Sequence, residues 1–344
     1  MERTLKIGDR AIGDDAPPFV IAEIGINHEG SLDKAIRMVD DAATVGAECV
    51  KFQCHVVDDE MIPNDVVPGN ANESIEKIIR RCTFDEAQER FLKGYVEKKG
   101  MLYLSTPFSR AAADRLESMG VLAYKIGSGE CNNTPLIEHI ASFKKPIILS
   151  TGMNDIPSIE RSVAAIGKYG TPFALLHCTS VYPTPYRLVR LGAIGELRAA
   201  FPDAPIGLSD HTKTIYPCLG AVSLGASILE RHFTSDAAWL GPDIEVSMTP
   251  EELQRMIVGS AAIWESRGGR KAILAEEAPT IAFAYASVVS TRAIAKGDKL
   301  DGSNIWVKRP GTGEIRAIEF EAVVGRHANR DIPADTQLKR DWLS

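Results

Sequence analysis

Six cysteines, at 49, 54, 82, 131, 178 and 218, form no CxxC pair and no tight framework. That argues against a disulfide scaffold or a cysteine-rich zinc site and suggests reduced thiols in the cytoplasm. No apolar stretch is long enough for a membrane span; the best, 218–229, is broken by Ser and Gly. Residues 1–18 are polar and hold no apolar h-region, so no signal peptide is expected. Positive charge is in deficit, with 39 Lys and Arg against 46 Asp and Glu, a net −7. A general nucleic-acid binder would be basic, so nucleic acid and membrane are both unexpected partners. An anionic ligand would have to be held by local cations. Also missing are a GxGxxG dinucleotide turn and any HxH or HExxH metal motif.

What is present is a repeat. Short apolar runs occur at 18–25, 48–53, 101–108, 122–129, 145–152, 173–180, 204–211 and 226–233, each followed by a segment of helical period. Ser31 opens one helix that Gly46 closes, and Thr249-Pro250-Glu251-Glu252 caps another. Eight β-then-α units predict a (β/α)8 TIM barrel over 1–268, the rival being a doubly wound open sheet. The longer gap after 53 makes 54–75 a large insertion over one face. A linker is expected at 269–286, and a small, mainly β domain at 287–344.

Polar residues gather where each run ends: Glu23; Lys51 and Gln53; Ser105 and Thr106; Lys125 and Ser128; Ser150; His177 and Thr179; Ser209 and His211; Glu230 and His232. Barrel active sites lie at the C-terminal ends of the strands. One buried charge is usually a satisfied structural residue, but a complete ring of polar ends marks a site. Lys51 and Lys125, with Thr106, Ser128, Ser150 and Ser209 and the Gly127-Ser128-Gly129 turn, describe an anion pocket suited to a phosphate. A Schiff-base lysine is the competing chemistry. His211 and His232, ending neighbouring strands, would make an open two-imidazole site for a catalytic divalent ion. His28, His55 and His177 are further candidates, whereas His139 and His327 read as surface or interface residues. Together these features fit aldol-type carbon–carbon bond formation, or metal-assisted isomerisation or hydrolysis of a phosphosugar.

The strand ends carry longer motifs: IAEIGINHEGS (21–31), KFQ (51–53), STPF (105–108), YKIGSGE (124–130), ILSTGM (148–153), HCTSVYPTP (177–185), GLSDHT (207–212) and ERHFT (230–234). With GPDIEVSM (241–248) and WVKRPGTG (306–313), they closely resemble the sialic acid synthase family along nearly the whole chain. The resemblance implies a barrel followed by a small antifreeze-protein-like (SAF-type) domain, exchanged between protomers of a domain-swapped homodimer. It implies a carbon–carbon bond-forming transferase joining phosphoenolpyruvate to an N-acylated aminosugar. The leading substrate is N-acetylmannosamine, giving N-acetylneuraminate; legionaminate or pseudaminate synthesis from a 2,4-diacetamido sugar is the alternative. A non-catalytic carbohydrate-binding protein is a remote third reading.

Position by position, Lys51, Thr106, Lys125, Ser128, Ser150 and Ser209 match phosphoenolpyruvate-binding positions. Ser180 stands where some members have a ligand-contacting Asn. His211 and His232 match ligands of a divalent metal, Mn²⁺ foremost, with Mg²⁺ or Co²⁺ as alternatives. Glu23 matches an acid beside the reacting carbons. Gln53, Asn70, Glu130, Tyr182 and Asp243 match sugar-side positions, and Arg309 matches an arginine that reaches into the partner's site.

Overall fold

Each of the eight apolar runs becomes a parallel strand in the computed structural model, which describes residues 3–69 and 71–344. They follow an unforeseen hairpin, β1 (Thr4–Ile7) and β2 (Arg10–Gly13). The barrel strands are β3 (Phe19–Gly25), β4 (Cys49–Cys54), β5 (Leu102–Pro107), β6 (Tyr124–Ile126), β7 (Ile147–Ser150), β8 (Phe173–Cys178), β9 (Ile206–Ser209) and β10 (Ile228–His232). The ladder runs β5-β4-β3-β10-β9-β8-β7-β6. Strands β5 and β6, at its two ends, lie side by side, so the sheet comes round into a nearly closed barrel. A doubly wound sheet would instead end in two separated edges.

Side chains alternate across each strand. Val20, Ala22 and Ile24 of β3 face the helices, in the same core as Val50, Phe52, Ile147, Leu149, Leu208 and Leu229. The inward set is apolar near the strand starts, where Phe19, Ile21, Cys49, Leu104, Ile148, Leu176 and Ile228 form a second core. Leu5, Ile7 and Ile12 of the hairpin belong to this inner core, so the hairpin plugs the barrel's N-terminal end. Each of its strands is only four residues long, too short for alternation to stand out in a polar segment. Further along the same inward rows come Glu23, Lys51, Thr106, Lys125, Ser150, Ser209, Glu230 and His232. One end of the lumen is thus oily and the other polar.

Local chemistry fixes the helices as expected. Ser31 Oγ accepts the Lys34 N–H at 3.3 Å, opening helix Leu32–Thr44. Thr249 and Glu252 cap helix Pro250–Ser266 reciprocally, with Pro250 at its first position. The insertion after β4 holds a helical turn, Val57–Glu60, and a helix, Ile75–Cys82. It packs around a satellite core of Ile26, Val57, Ile78, Ile79 and Cys82.

The chain divides into two compact units, Met1–Gly268 and Gly269–Ser344. In the second, β11 (Ser287–Ser290) and β12 (Ile305–Lys308) pair antiparallel over a core of Val288, Leu300, Ile305, Ile315, Ile332 and Leu338. The segment 269–286, expected as a linker, carries a 3-10 turn, Ala275–Glu277, and a helix, Ala278–Ala284. No helix among the described residues is long and apolar enough to cross a membrane.

Candidate active site

The C-terminal end of the barrel opens into a cavity of about 560 Å³. Glu23, Lys51, Gln53, Thr106, Lys125, Ser128, Glu130, Ser150, Ser180, Tyr182, Ser209, His211, His232 and Asp243 all line it. Asn70 lies outside the described residues. Arg309 belongs to the second unit, exposed just after β12, with the Pro310 carbonyl beside it held by Ser287 Oγ at 2.9 Å and Gln337 Nε2 at 3.1 Å.

Two ion pairs form the floor. Glu23 and Lys51 are opposite one another in the β3–β4 register, and their side chains meet at 2.6 Å. Lys51 Nζ also donates to Thr106 Oγ1 at 3.1 Å. Lys125 Nζ donates to Ser150 Oγ at 2.7 Å and lies 3.5 Å from Glu230 Oε1, which accepts from Ser209 Oγ at 3.1 Å. Burial pulls Lys51 down, but the carboxylates of Glu23 and Glu230 outweigh it and hold the ammonium above its ordinary value. Burial also pushes the Glu23 carboxyl up, to about 7, against the pull of Lys51. For Lys125 burial wins and the pKa falls, although Glu230 opposes it. The lysines are therefore ion-paired and ringed by hydroxyls rather than isolated in an apolar pocket, which disfavours the Schiff-base reading.

Gly152 brings the hydroxyls together. A Cβ there would sit 2.5 Å from Ser180 Oγ and 2.8 Å from Ser128 Oγ, and its N–H donates to Ser128 Oγ at 3.0 Å. Across the cavity the rings of His211 and His232 lie 5.5 Å apart, with Tyr182 against His211 at 4.1 Å. Burial, reinforced for His211 by the other imidazole and for His232 by Lys51, pushes both histidines down to about 3, so both rings are neutral. His232 Nδ1 is buried without a hydrogen-bond partner, and Asp243 Oδ2 stands 3.9 Å from it. Burial raises Asp243 to about 6 and Glu130 to about 7.

The other histidines separate cleanly. His177 faces outward and hydrogen-bonds the Val189 carbonyl at 2.6 Å, and His28 stacks on Phe84 at 4.2 Å; neither lines the cavity. His55 does. Its ring stacks on Phe108 at 4.6 Å and bridges Glu60 Oε2, at 2.7 Å, to Gln53 Oε1, at 3.0 Å. His139 pairs with Asp114 on the surface.

A buried ion pair next to both imidazoles in sequence does not follow from spacing. Arg231 and Asp210, each next to a cavity histidine in sequence, are both almost wholly buried and meet at 3.1 Å. Arg231 Nη2 also donates to the Thr212 carbonyl at 2.6 Å and the Val246 carbonyl at 3.2 Å. One guanidinium thus ties the ends of β9 and β10 to the turn that follows Asp243. A lone Arg between Glu and His in ERHF was the available signal. Arg231→Met strands a buried carboxylate, with an expected loss of about 3 kcal/mol in urea denaturation. The double variant Asp210→Asn/Arg231→Met should recover part of that loss.

Its relatives place the chain among the phosphoenolpyruvate-dependent sugar acid synthases, which are enzymes. Residues 38–272 match the NeuB family and residues 285–343 the SAF domain, and the chain belongs to the NeuB family. It is 39% identical over 341 residues to an uncharacterised protein of Methanocaldococcus jannaschii, covering 98% of each. It is 34% identical to the N,N'-diacetyllegionaminic acid synthase of Campylobacter jejuni, over 93% of this chain and 98% of that one. Against human N-acetylneuraminate-9-phosphate synthase the identity is 35%, over 72% and 70% of the two chains. The crystal structure of N-acetylneuraminic acid synthetase from Leptospira borgpetersenii, in complex with citrate, superposes with a TM-score of 0.75 at 34% identity, covering 82% of this chain and 96% of that one.

Proposed function

We propose that the enzyme condenses phosphoenolpyruvate with the open-chain aldehyde of an N-acylated aminosugar, releasing phosphate. N-acetylmannosamine giving N-acetylneuraminate is the parent reaction, and a 2,4-diacetamido sugar giving legionaminate or pseudaminate shares its reacting end. The observation that carries this reading is the division of one cavity into two buried lysines ringed by hydroxyls and two neutral, facing imidazoles.

Lys51 with Thr106, and Lys125 with Ser128, Ser150, Ser180 and Ser209, hold the phosphate and carboxylate of phosphoenolpyruvate. The enol C3 attacks the aldehyde carbon, forming the new C–C bond, and the aldehyde oxygen takes up a proton to become a hydroxyl. Water adds to the cationic C2, and phosphate leaves by C–O cleavage. Glu23, held between Lys51 and Gln53, orients that water and takes its proton. Gln53, Asn70, Glu130, Tyr182 and Asp243 position the sugar. His211 and His232 would hold a divalent ion, Mn²⁺ foremost with Mg²⁺ or Co²⁺ as alternatives; when bound it would polarise the aldehyde. The donor set fits such an ion: both imidazoles are neutral, and His232 Nδ1 lacks a protein partner. Among the described residues no group of three or more such side chains gathers there, so the two imidazoles would be the protein's share of the ion's ligands.

Arg309 reaches the sugar's N-acyl group from the partner protomer of a domain-swapped homodimer in this reading. Arg309→Ala should then raise the sugar KM about tenfold, and a chain ending at Gly268 should lose activity. A fully active truncated chain would rule the arm out. A phosphorylated substrate and six free thiols support a cytoplasmic location.

The Glu130 carboxyl, at about 7, gives a pH test. Sugar hydroxyls donate more strongly to its ionised form, so the sugar KM should fall as pH rises through about 7 and then level. Glu130→Gln should flatten that dependence without altering the KM for phosphoenolpyruvate; an unchanged profile would count against the sugar-side role. The direct assay of the reading is phosphate release with phosphoenolpyruvate and a panel of N-acyl sugars, with and without Mn²⁺.

A further inference from the structure

One row of polar side chains runs from the insertion to the cavity floor. Glu60 Oε2 lies 2.7 Å from His55 Nδ1, and His55 Nε2 lies 3.0 Å from Gln53 Oε1. Gln53 Nε2 donates to Glu23 Oε1 at 3.4 Å, and Lys51 meets the other Glu23 oxygen at 2.6 Å. The condensation steps above use Gln53, Glu23 and Lys51 but neither His55 nor Glu60. Both are nonetheless built into place. The insertion adds an isoleucine wall to the cavity, Ile75, Ile78 and Ile79, and Val57 shares a core with Ile78 and Ile79. Asp59 Oδ2 accepts the Ala111 N–H at 2.8 Å, tying the turn Val57–Glu60 to helix Arg110–Ser118. With the turn held at both points, Glu60 lines the cavity beside His55.

The direction of each hydrogen bond follows from the inner end of the row. An ammonium only donates, and an ionised carboxylate only accepts. Gln53 turns its amide nitrogen to Glu23, so its carbonyl oxygen, a pure acceptor, faces His55. His55 Nε2 must then carry a hydrogen. Nδ1 faces the Glu60 carboxylate, also an acceptor, and must carry one too. An imidazole that donates from both nitrogens is a cation. The ring is buried, so its two N–H groups need these partners. Its charge is received twice over. Glu60 pairs with it, and Phe108 stacks on it with ring planes 12° apart, a placement in which a π face attracts a cation. With both nitrogens engaged, the ring has no lone pair to offer a metal ion.

We infer that His55 is a positioning residue, a cationic ring held by Glu60 that fixes the Gln53 amide with its N–H groups toward Glu23. A bare nitrogen at Nε2 would instead attract the amide N–H and turn the Gln53 carbonyl against the Glu23 carboxylate. This rests on the condensation reading above and adds a residue to it.

Two measurements on the full chain test it. In resting protein carrying ¹⁵N-histidine at neutral pH, both ring nitrogens of His55 should give N–H signals, identified as those missing from His55→Phe. One bare nitrogen would overturn the charged ring. Glu60→Gln should leave His55 neutral with one bare nitrogen, and an unchanged spectrum would overturn the pairing. The second measurement is kinetic, with phosphoenolpyruvate, Mn²⁺ and the N-acyl sugar that the wild-type chain turns over fastest. His55→Phe keeps the stack on Phe108 but donates nothing. Its kcat should fall about 10²-fold, with the KM for phosphoenolpyruvate within about twofold of wild type. His55→Gln places an amide N–H near the Nε2 position and should recover about tenfold of that loss. Undiminished kcat in His55→Phe, equal losses in the two variants, or a matching rise in the KM for phosphoenolpyruvate would overturn the positioning role. No phosphate release by the wild-type chain with any N-acyl sugar would remove the condensation reading instead, and the spectrum would still decide the state of the ring.

Discussion

His232→Ala is expected to reduce turnover by about 10³-fold or more, the cost of losing a principal stabiliser of developing negative charge. The fold should survive. His232 Nδ1 has no protein hydrogen-bond partner to strand, and the β10 backbone contacts of residue 232, including its carbonyl to the Met248 N–H at 2.7 Å, do not involve the ring. Manganese affinity, followed by electron paramagnetic resonance, should fall in parallel, separating lost metal binding from lost packing. Unchanged Mn²⁺-dependent turnover in the variant would contradict the ligand assignment.

Lys125→Met should raise the KM for phosphoenolpyruvate by roughly 10²-fold, far more than that for the sugar. A charge-assisted hydrogen bond to the bound anion is lost, worth about 1.5–3 kcal/mol. Glu230 also loses its nearest cation and would then face the incoming phosphate uncompensated. Breaking such a buried pair costs about 3–5 kcal/mol of stability, so circular dichroism must accompany the kinetics. The double variant Lys125→Met/Glu230→Gln removes the stranded charge and should regain stability and part of the affinity. Equal increases in the two KM values would count against the phosphate role.

Much of this site could be read without coordinates because a barrel converts a local rule into a global one. Period-two alternation places residues 19, 21 and 23 on one face, as it does 228, 230 and 232, and closure turns those faces into a single lumen. The apolar-to-polar change along each strand was therefore enough to find the pocket floor. What escaped lies where no period operates. Helix Ile75–Cys82 and the turn Val57–Glu60 sit inside an insertion, so neither the isoleucine wall nor the Glu60–His55–Gln53 bridge followed from spacing. His177 misled because it ends a strand but occupies an outward position, as its parity with Leu175 would have indicated. Arg231 and Asp210 pair with each other outside the inward rows, so strand alternation does not single them out. Residues 4–13 were missed because two four-residue strands leave too little pattern.

The central claim is that one polar barrel mouth joins phosphoenolpyruvate to an N-acylated aminosugar. It is tested most directly by incubating the full-length protein with phosphoenolpyruvate, Mn²⁺ and the sugar, then quantifying phosphate and the 2-keto sugar acid together. The account predicts one phosphate released per acid formed, and neither product when the sugar is omitted. Consumption of phosphoenolpyruvate without a new carbon–carbon bond, or no consumption with any N-acyl sugar, would contradict it.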